Sequence, residues 1–317
     1  KRYFDRLPSK AERVVRDPVW NLSRHSAGMC MRFVTDSPNI YVRYKLHLER
    51  LEMSHMPATG VSGIDLYADN GEGIDHWVSV IQPNKQVMDT SIAEGLAPGS
   101  RRYTVYLPLY NGVDDMEVGV TKGESFRPLT PRKEKPILFY GTSIMHGACA
   151  SRPGLAFPAI LGRRLRRPTI NLGFSGNGVM EPEVSDLLAE QDPCVFVIDC
   201  LPNMNETTVS KRTIPFVKRL RESHDNTPII LVEDRSFTNT LFFPSRKIHH
   251  RKSRTALKKV YTELTDSGVR NLFYLDGDHL LGDDGEGATD GSHPNDLGMM
   301  RYADAYEPVL RTILKQY

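Results

Sequence analysis

The feature that most constrains the fold is the alternation of short apolar runs with helical patterns after Pro136. Apolar runs of four or five residues are bounded by turn residues, and between them apolar side chains recur every three or four positions. Strands that are apolar throughout are buried on both faces, and connecting helices make them parallel. The sequence therefore predicts an α/β fold of three layers, with a five-stranded parallel sheet whose strands lie at 137–140, 169–172, 194–198, 229–232 and 272–275.

The first 125 residues show a different pattern, in which apolar and polar side chains alternate. This period of two is typical of antiparallel strands with one buried face, and its clearest example is formed by Ile40, Val42, Tyr44 and Leu46. Gly and Pro turns recur and no helical pattern is evident. We therefore predict an all-β jelly-roll (β-sandwich) domain at 1–128 and an α/β domain at 129–317, joined by a Pro-, Lys- and Arg-rich linker at 121–136.

Charge and hydropathy argue against several classes of partner. The chain has 41 Lys and Arg against 39 Asp and Glu, a net charge of +2, which gives no general attraction for nucleic acid. The basic run at 163–167 is interpreted as a solvated helix end. No stretch reaches the roughly 20 apolar residues that span a bilayer. Because we also find no amphipathic helix or exposed apolar stretch, we expect no membrane insertion and disfavour phospholipid substrates.

A single serine follows the first strand of the predicted parallel sheet. The run continues through Gly141 and Thr142 to Ser143, and ligands of open α/β sheets bind beyond the carboxyl ends of such strands. Alone, this tripeptide is most often an ordinary polar turn. Near the end of the chain, however, Asp290 and His293 supply an acid and a base. A serine hydroxyl needs a base to become nucleophilic, and a carboxylate orients the imidazole.

The second and third strands are also followed by polar loops. The loop at 173–178 is rich in glycine. Its backbone N–H groups could face an anion in the site or cradle a phosphate, or the loop could be an ordinary turn. Asn203 follows the third strand and could donate to an oxyanion or form an Asx-turn. Each signal is weak alone, but their common placement at one sheet edge gives the set of groups that acyl transfer requires.

Together these residues resemble the four blocks of the SGNH (GDSL-type) hydrolase superfamily over about residues 136–317. The resemblance implies a flavodoxin-like domain in which Ser143 is the nucleophile, His293 the base and Asp290 its orienting acid. It also implies an oxyanion hole formed by the Ser143 and Gly176 backbone N–H groups and the Asn203 side chain. The N-terminal part carries Gly-Ile-Asp-Leu-Tyr at 63–67, which looks like the Gly-x-Asp-Leu-Tyr signature of the β-sandwich domain in one bacterial branch.

Two positions depart from the family pattern. Thr142 stands where the first block usually has Asp, and Met204 stands where the third block has Asp after Asn203. Neither replaced group performs the chemistry directly, so we expect a sub-branch of active enzymes. Thr142 and His146 are candidate substrate contacts, although His146 is equally well explained as a polar residue in the first helical turn.

The resemblance implies a serine esterase that removes short acyl groups, above all acetyl, from a carbohydrate or another small ester. No metal or organic cofactor is implied, and the spacing of the four cysteines does not suggest a zinc site. A secreted or periplasmic bacterial protein is expected, although no signal peptide opens the chain. Two alternatives remain open: a glycan-binding protein with a vestigial site, and an acyltransferase that uses the same residues. The sequence does not define the oligomeric state.

Overall fold

In the computed structural model, which describes residues 2–316, two antiparallel sheets form the N-terminal β region. Their strands are β1 Cys30–Thr35, β2 Ile40–Leu46, β3 Asp65–Asp69, β4 Asp75–Val80, β5 Val87–Ala93, β6 Arg101–Tyr106, β7 Val113–Val120 and β8 Phe126–Pro128. One sheet has the order β4-β3-β6-β1-β8 and the other the order β5-β2-β7. The apolar face of β2 packs with Phe33, Leu66 and Val105 from the opposite sheet. The predicted β-sandwich is therefore confirmed.

Three strands of this sandwich, β5, β7 and β8, have no clear alternating pattern in the sequence. In β7 the acidic residues Asp115 and Glu117 occupy the outward face, and their density hides the alternation of buried and exposed positions. Strand β5 is broken up in the same way by polar residues. The three residues of strand β8 are exposed and lie inside the predicted linker, where pairing with the edge of β1 makes them a strand.

The second half of the chain contains the predicted parallel sheet. Its strands are β9 Ile137–Gly141, β10 Thr169–Gly173, β11 Val195–Asp199, β12 Ile229–Val232 and β13 Leu272–Leu275. They lie in the order β10-β9-β11-β12-β13, and every neighbouring pair is parallel. Strand β10 pairs with one edge of β9, and the chain then crosses over to β11, which pairs with the other edge of β9. The switch point therefore lies between β9 and β11. Ligands of this fold bind at that point.

Helices cover both faces of the parallel sheet. The α-helices are α1 Asp17–Ser23, α2 Ala58–Val61, α3 Ser143–His146, α4 Phe157–Arg164, α5 Pro182–Ala189, α6 Glu206–Ser223, α7 Pro244–Asp266 and α8 Asp296–Gln316. Strand β9 shows the two-sided burial, because Leu138 and Tyr140 belong to one core cluster whereas Ile137 and Phe139 belong to the other. Helix α8 begins two residues after Pro294.

The expectation that the first 125 residues contain no clear helix is wrong. Helix α1 starts with a proline in its first turn, where the missing N–H does no harm. Four apolar side chains spaced four residues apart are buried in the core cluster that also contains Leu138 of β9. They are Leu7, Ala11, Val15 and Val19. The N-terminal segment therefore covers one face of the parallel sheet, while Phe4 near its start packs against the sandwich core.

The Gly-x-Asp-Leu-Tyr residues connect the β region to the α/β region. The Asp65 carboxylate is fully buried, and it accepts hydrogen bonds from Arg152 at 3.0 Å and from the Gly154 backbone N–H at 2.8 Å. The ring of Tyr67 stacks under the Arg163 guanidinium at 4.0 Å. The run at 163–167 is therefore not simply a solvated helix end, because its first arginine forms part of this interface.

Candidate active site

Ser143 lies in a tight passage from β9 into α3. It is the first residue of the helix and only 7 % of its surface is exposed. The preceding Thr142 is the helix N-cap, and its hydroxyl oxygen accepts the Ile144 backbone N–H at 3.4 Å. Helix α3 ends at His146, and its C-cap Gly147 has a φ of +118°. This local sequence therefore presents one serine at the switch point of the sheet.

His293 and Asp290 reach Ser143 from the other end of the sequence. The His293 Nε2 atom lies 2.9 Å from the Ser143 Oγ, and its Nδ1 atom lies 2.7 Å from an Asp290 carboxylate oxygen. The carboxylate fixes the tautomer, because a proton on Nδ1 leaves Nε2 free to accept the serine proton. The structure thus brings together the three residues that the sequence predicted as nucleophile, base and acid.

The Asp290 carboxylate is held in its ionised form. Partial burial opposes ionisation, but the hydrogen bonds from the His293 backbone and ring and from the Ser292 N–H outweigh it and lower the pKa of Asp290 to about 2. At any pH near neutrality this group is therefore a negatively charged acceptor. It can hold the imidazole in place and stabilise the imidazolium that forms when Ser143 gives up its proton.

The loop that carries these two residues has no regular secondary structure over 276–295, so individual bonds hold it. The Thr238 N–H donates to the Gly291 carbonyl at 3.0 Å. The buried Arg235 guanidinium donates to the carbonyl and the hydroxyl of Ser292. On the other side, the Cys149 N–H donates to the Pro294 carbonyl at 2.7 Å. These contacts fix the loop at both ends of the Asp290–His293 segment.

The loops after β10 and β11 pack against the serine turn. The Phe174 N–H donates to the Gly141 carbonyl at 2.9 Å, and a side chain at Gly178 would collide with that same oxygen. The Gly178 N–H in turn donates to the side-chain carbonyl of Asn203 at 3.2 Å, which leaves the Asn203 amide nitrogen as the donor end. Gly176 has a φ of +70° and faces open space on the exposed side of the loop.

The structure encloses the two candidate substrate contacts. Thr142 and His146 have no exposed surface, and Thr142 acts as the cap of α3. The His146 ring stacks on Tyr110 at 4.2 Å, with its Nε2 atom 2.6 Å from the Leu109 carbonyl. Burial, and then the charge of Arg6, lower the pKa of His146 well below its usual value. Both residues therefore lack a surface that a substrate could reach, and the substrate contact predicted for them is corrected.

One residue near the site, His55 of the β region, was not predicted from the sequence. Its ring centroid lies 6.0 Å from that of His293. His55 stands in a turn closed by reciprocal backbone hydrogen bonds of 3.0 Å between Met53 and Met56, and the buried Met56 packs in the same core cluster as Cys149. The turn shows no motif, and only its composition, two methionines flanking Ser-His, distinguished it in the sequence.

The Cys149 thiol near the site is not activated as a nucleophile. Burial raises the pKa of the Cys149 thiol to about 11, so the neutral thiol prevails near neutral pH.

Across residues 2–316, no three His, Cys, Asp or Glu side chains are arranged to bind a metal ion. A helix apolar enough and long enough to cross a bilayer is likewise absent from that range.

Comparison with known proteins assigns both halves of the chain. A family model for GDSL-like lipases and acylhydrolases matches residues 134–311, and a model for the N-terminus of SGNH-hydrolase-type esterases matches residues 1–126. A protein from Bacteroides ovatus described as a GDSL-like lipase is 33 % identical with a TM-score of 0.95, over 99 % of this chain and 93 % of that one. No curated protein matches at a significant level.

More distant solved structures share the fold. The salicylyl-acyltransferase SsfX3 from a tetracycline biosynthetic pathway is 20 % identical with a TM-score of 0.78, over 98 % of this chain and 89 % of that one. A family two carbohydrate esterase from Clostridium thermocellum, solved with cellohexaose, is 14 % identical with a TM-score of 0.63, over 92 % and 94 %. The family match over more than half the chain is decisive, and the protein belongs to the GDSL-like lipase/acylhydrolase family.

Proposed function

We propose that this protein is a serine esterase that removes short acyl groups, above all acetyl, from a carbohydrate through an acyl-enzyme on Ser143. The observation that carries the proposal is the continuous hydrogen-bonded chain from Ser143 through His293 to Asp290, with distances of 2.9 and 2.7 Å. Nucleophile, base and orienting acid in hydrogen-bond contact are the geometry that serine acyl transfer needs.

The reaction proceeds in two steps. The Ser143 oxygen attacks the ester carbonyl while His293 Nε2 takes its proton, and the Asp290 carboxylate stabilises the imidazolium. The tetrahedral oxyanion accepts hydrogen bonds from the backbone N–H groups of Ser143 and Gly176 and from the Asn203 amide. Each such donor typically contributes about 2.7–4 kcal/mol to the transition state.

Collapse of this intermediate releases the alcohol, which receives the proton from His293 and leaves the acyl group on the serine oxygen. A water molecule then gives its proton to the same His293 and attacks the acyl carbonyl. The second collapse returns the proton to Ser143 and releases the acid.

Support for a carbohydrate substrate comes from the solved relatives described as carbohydrate esterases, which share the fold of this chain. His55 also brings a residue of the β region next to His293, with ring centroids 6.0 Å apart. An exported bacterial protein would meet such a substrate, as the sequence analysis expects. Acyl transfer to an alcohol is the second candidate, because a fold relative is described as an acyltransferase and the triad chemistry is the same.

The test is release of 4-nitrophenol from its acetate, butyrate and octanoate esters by the parent protein and by Ser143→Ala. We expect rates that fall with chain length and disappear in the variant. Equal slow rates in both proteins would contradict the proposal. Added sugar alcohols distinguish the second candidate, because a transferase yields the acylated sugar faster than free acid.

The place of His55 in the site is tested on the same substrates. We expect His55→Ala to raise KM more than it lowers kcat, since its ring borders the base without touching the serine. His76→Ala, which removes an exposed histidine of β4, is the matched control. Unchanged kinetics in His55→Ala would show that this turn stays outside the substrate-binding surface.

A further inference from the structure

An apolar tip projects from the protein between β12 and α7. Leu241 is 84 % exposed and Phe242 76 %, and Phe243 and Ile248 are about half exposed. Leu241, Phe242 and Phe243 are consecutive, and Ile248 lies in the second turn of the following helix α7, whereas isolated exposed apolar residues are common on any surface. The expectation that the chain has no exposed apolar stretch is therefore wrong, because this tip lies in a turn and lacks the period of an amphipathic helix.

Basic residues surround the apolar tip. The first sixteen residues of α7, at 244–259, contain seven Lys and Arg and no Asp or Glu. Lys247 and Arg251 are exposed on either side of Ile248 along the helix. Cations at a helix N-terminus oppose the helix dipole, and this helix has no side-chain cap to compensate. The positive charge therefore destabilises the helix, which points to a role outside its folding.

The tip is held firmly beside the active-site loop. Arg246 donates to the Asn239 side chain at 2.6 Å, and its guanidinium stacks on the ring of Phe243 at 4.7 Å. One residue earlier, Thr238 bonds to the carbonyl of Gly291, the neighbour of the Asp290–His293 pair. A surface that docks through the tip therefore lies next to the loop that completes the triad.

We propose that residues 241–252, here called the apolar–basic surface, dock this protein on an anionic lipid bilayer. Apolar side chains that enter the acyl boundary, with Lys and Arg at headgroup level, are the combination that peripheral membrane anchors use. A second copy of the chain is a poorer occupant, because a symmetric contact would bring these basic residues face to face.

The test is co-sedimentation with vesicles of phosphatidylcholine alone and of phosphatidylcholine with phosphatidylglycerol. The protein is the Ser143→Ala variant, so the result does not depend on the proposed esterase activity. We expect binding to the anionic vesicles and little to the neutral ones. Each basic residue near an anionic surface contributes about a fivefold factor in partition, so Lys247→Gln with Arg251→Gln should weaken binding about 25-fold. Leu241→Ser with Phe242→Ser should weaken it at least as much.

Matched controls carry the same substitutions elsewhere on the surface. Lys85→Gln with Lys122→Gln removes two exposed charges, and Ile74→Ser with Val87→Ser removes two exposed apolar side chains of the β region. These controls should bind like the parent. The proposal is overturned if the parent ignores anionic vesicles, if the tip variants bind unchanged, or if soluble polyglutamate binds as tightly as the vesicles. It is also overturned if the protein is a dimer whose interface covers the patch, so that the parent is dimeric and the tip variant monomeric.

Discussion

The two halves of the proposed triad, Ser143 on one side and Asp290 with His293 on the other, are positioned by different physical means. Ser143 is the first residue of a capped helix and follows a strand that is paired with a neighbouring strand on each side. It is almost fully buried. Asp290 and His293 stand in a loop without regular structure, and their side chains are 44 % and 27 % exposed. The serine side therefore rests on many mutually supporting contacts, whereas the acid–base side rests on a few individual hydrogen bonds.

This difference teaches where the site is vulnerable. Removal of one contact from a densely packed turn leaves its neighbours to hold the geometry. Removal of one bond from the loop lets the imidazole move, and a displacement of about 1 Å can cost a factor of about 100 in rate. Single substitutions of comparable size should therefore have unequal effects on the two sides.

The largest effect is expected from His293→Ala. Loss of the base leaves the serine hydroxyl unactivated, so kcat for 4-nitrophenyl acetate should fall by a factor on the order of 10⁶. The expression level and melting temperature should change little, because the ring is partly exposed. A fall of less than tenfold would show that another group serves as the base.

Asp290→Asn should have the next largest effect. The amide preserves the shape of the carboxyl group but lets the imidazole adopt the wrong tautomer, so kcat should fall by about 10⁴ with KM little changed. Because the pKa of Asp290 is about 2, the parent should lose no activity between pH 7 and pH 4 through protonation of this carboxylate. Steady-state kinetics of both proteins across that range provide the measurement.

Ser292→Ala tests the dependence of the loop on single bonds. It removes the hydroxyl that accepts a hydrogen bond from the Arg235 guanidinium. The hydrogen bond from the same guanidinium to the Ser292 backbone carbonyl remains. We expect kcat to fall about tenfold at constant KM, since the imidazole is less well placed. The exposed Ser245→Ala is the control, and equal kinetics in the two variants would mean that the arginine does not position the loop.

Tyr110→Phe makes the same test on the serine side. The Tyr110 hydroxyl donates to the Ser143 backbone carbonyl at 3.3 Å, across the boundary between the two regions. One hydrogen bond is worth about 1 kcal/mol of unfolding free energy, but the strand and helix still fix the serine. We expect kcat to change less than about threefold. A larger loss than that of Ser292→Ala would reverse the comparison drawn above.

The smallest effect on activity is expected from Asp199→Asn, which changes the pH dependence of stability. Burial raises the pKa of Asp199 to about 7, while the Tyr306 hydroxyl donates to it at 2.7 Å. Between pH 4 and 7 the folded protein keeps a proton that the unfolded chain releases, so the parent loses stability as the pH rises through that range.

Asparagine does not titrate, so the melting temperature of the variant relative to the parent should rise from pH 4 to pH 7 and then level off. Measured as a difference, this quantity cancels the opposite contribution of the buried histidines. A difference that is independent of pH would show that Asp199 is already ionised in the folded protein.

Much of this arrangement was predictable from the sequence because its signals are local. The five parallel strands and the residues that follow them are marked by apolar runs that end at glycine or a polar residue, as at Gly141 and Ser143. The contact of Ser143, His293 and Asp290 followed from two motifs 150 residues apart, since parallel topology places the ends of all strands at one edge.

The features that escaped prediction depend on contacts between distant segments. His55 is placed beside His293 by the packing of Met56, and Arg235 acts through a loop that has no pattern of its own. His146 was a candidate for a substrate contact or, equally, for a polar position in the first helical turn, and the interface with Tyr110 encloses it. Period and motif do not encode how one region packs on another, so such roles emerge only from the three-dimensional contacts.

The most direct test of the central claim is covalent labelling with diethyl 4-nitrophenyl phosphate, followed by intact-mass and peptide mass spectrometry. If His293 activates Ser143 as the structure indicates, one diethylphosphoryl group should appear on Ser143 in the parent and disappear in Ser143→Ala. Labelling should also be strongly slowed in His293→Ala. Labelling at another residue, or none at Ser143 in the folded protein, would contradict the account.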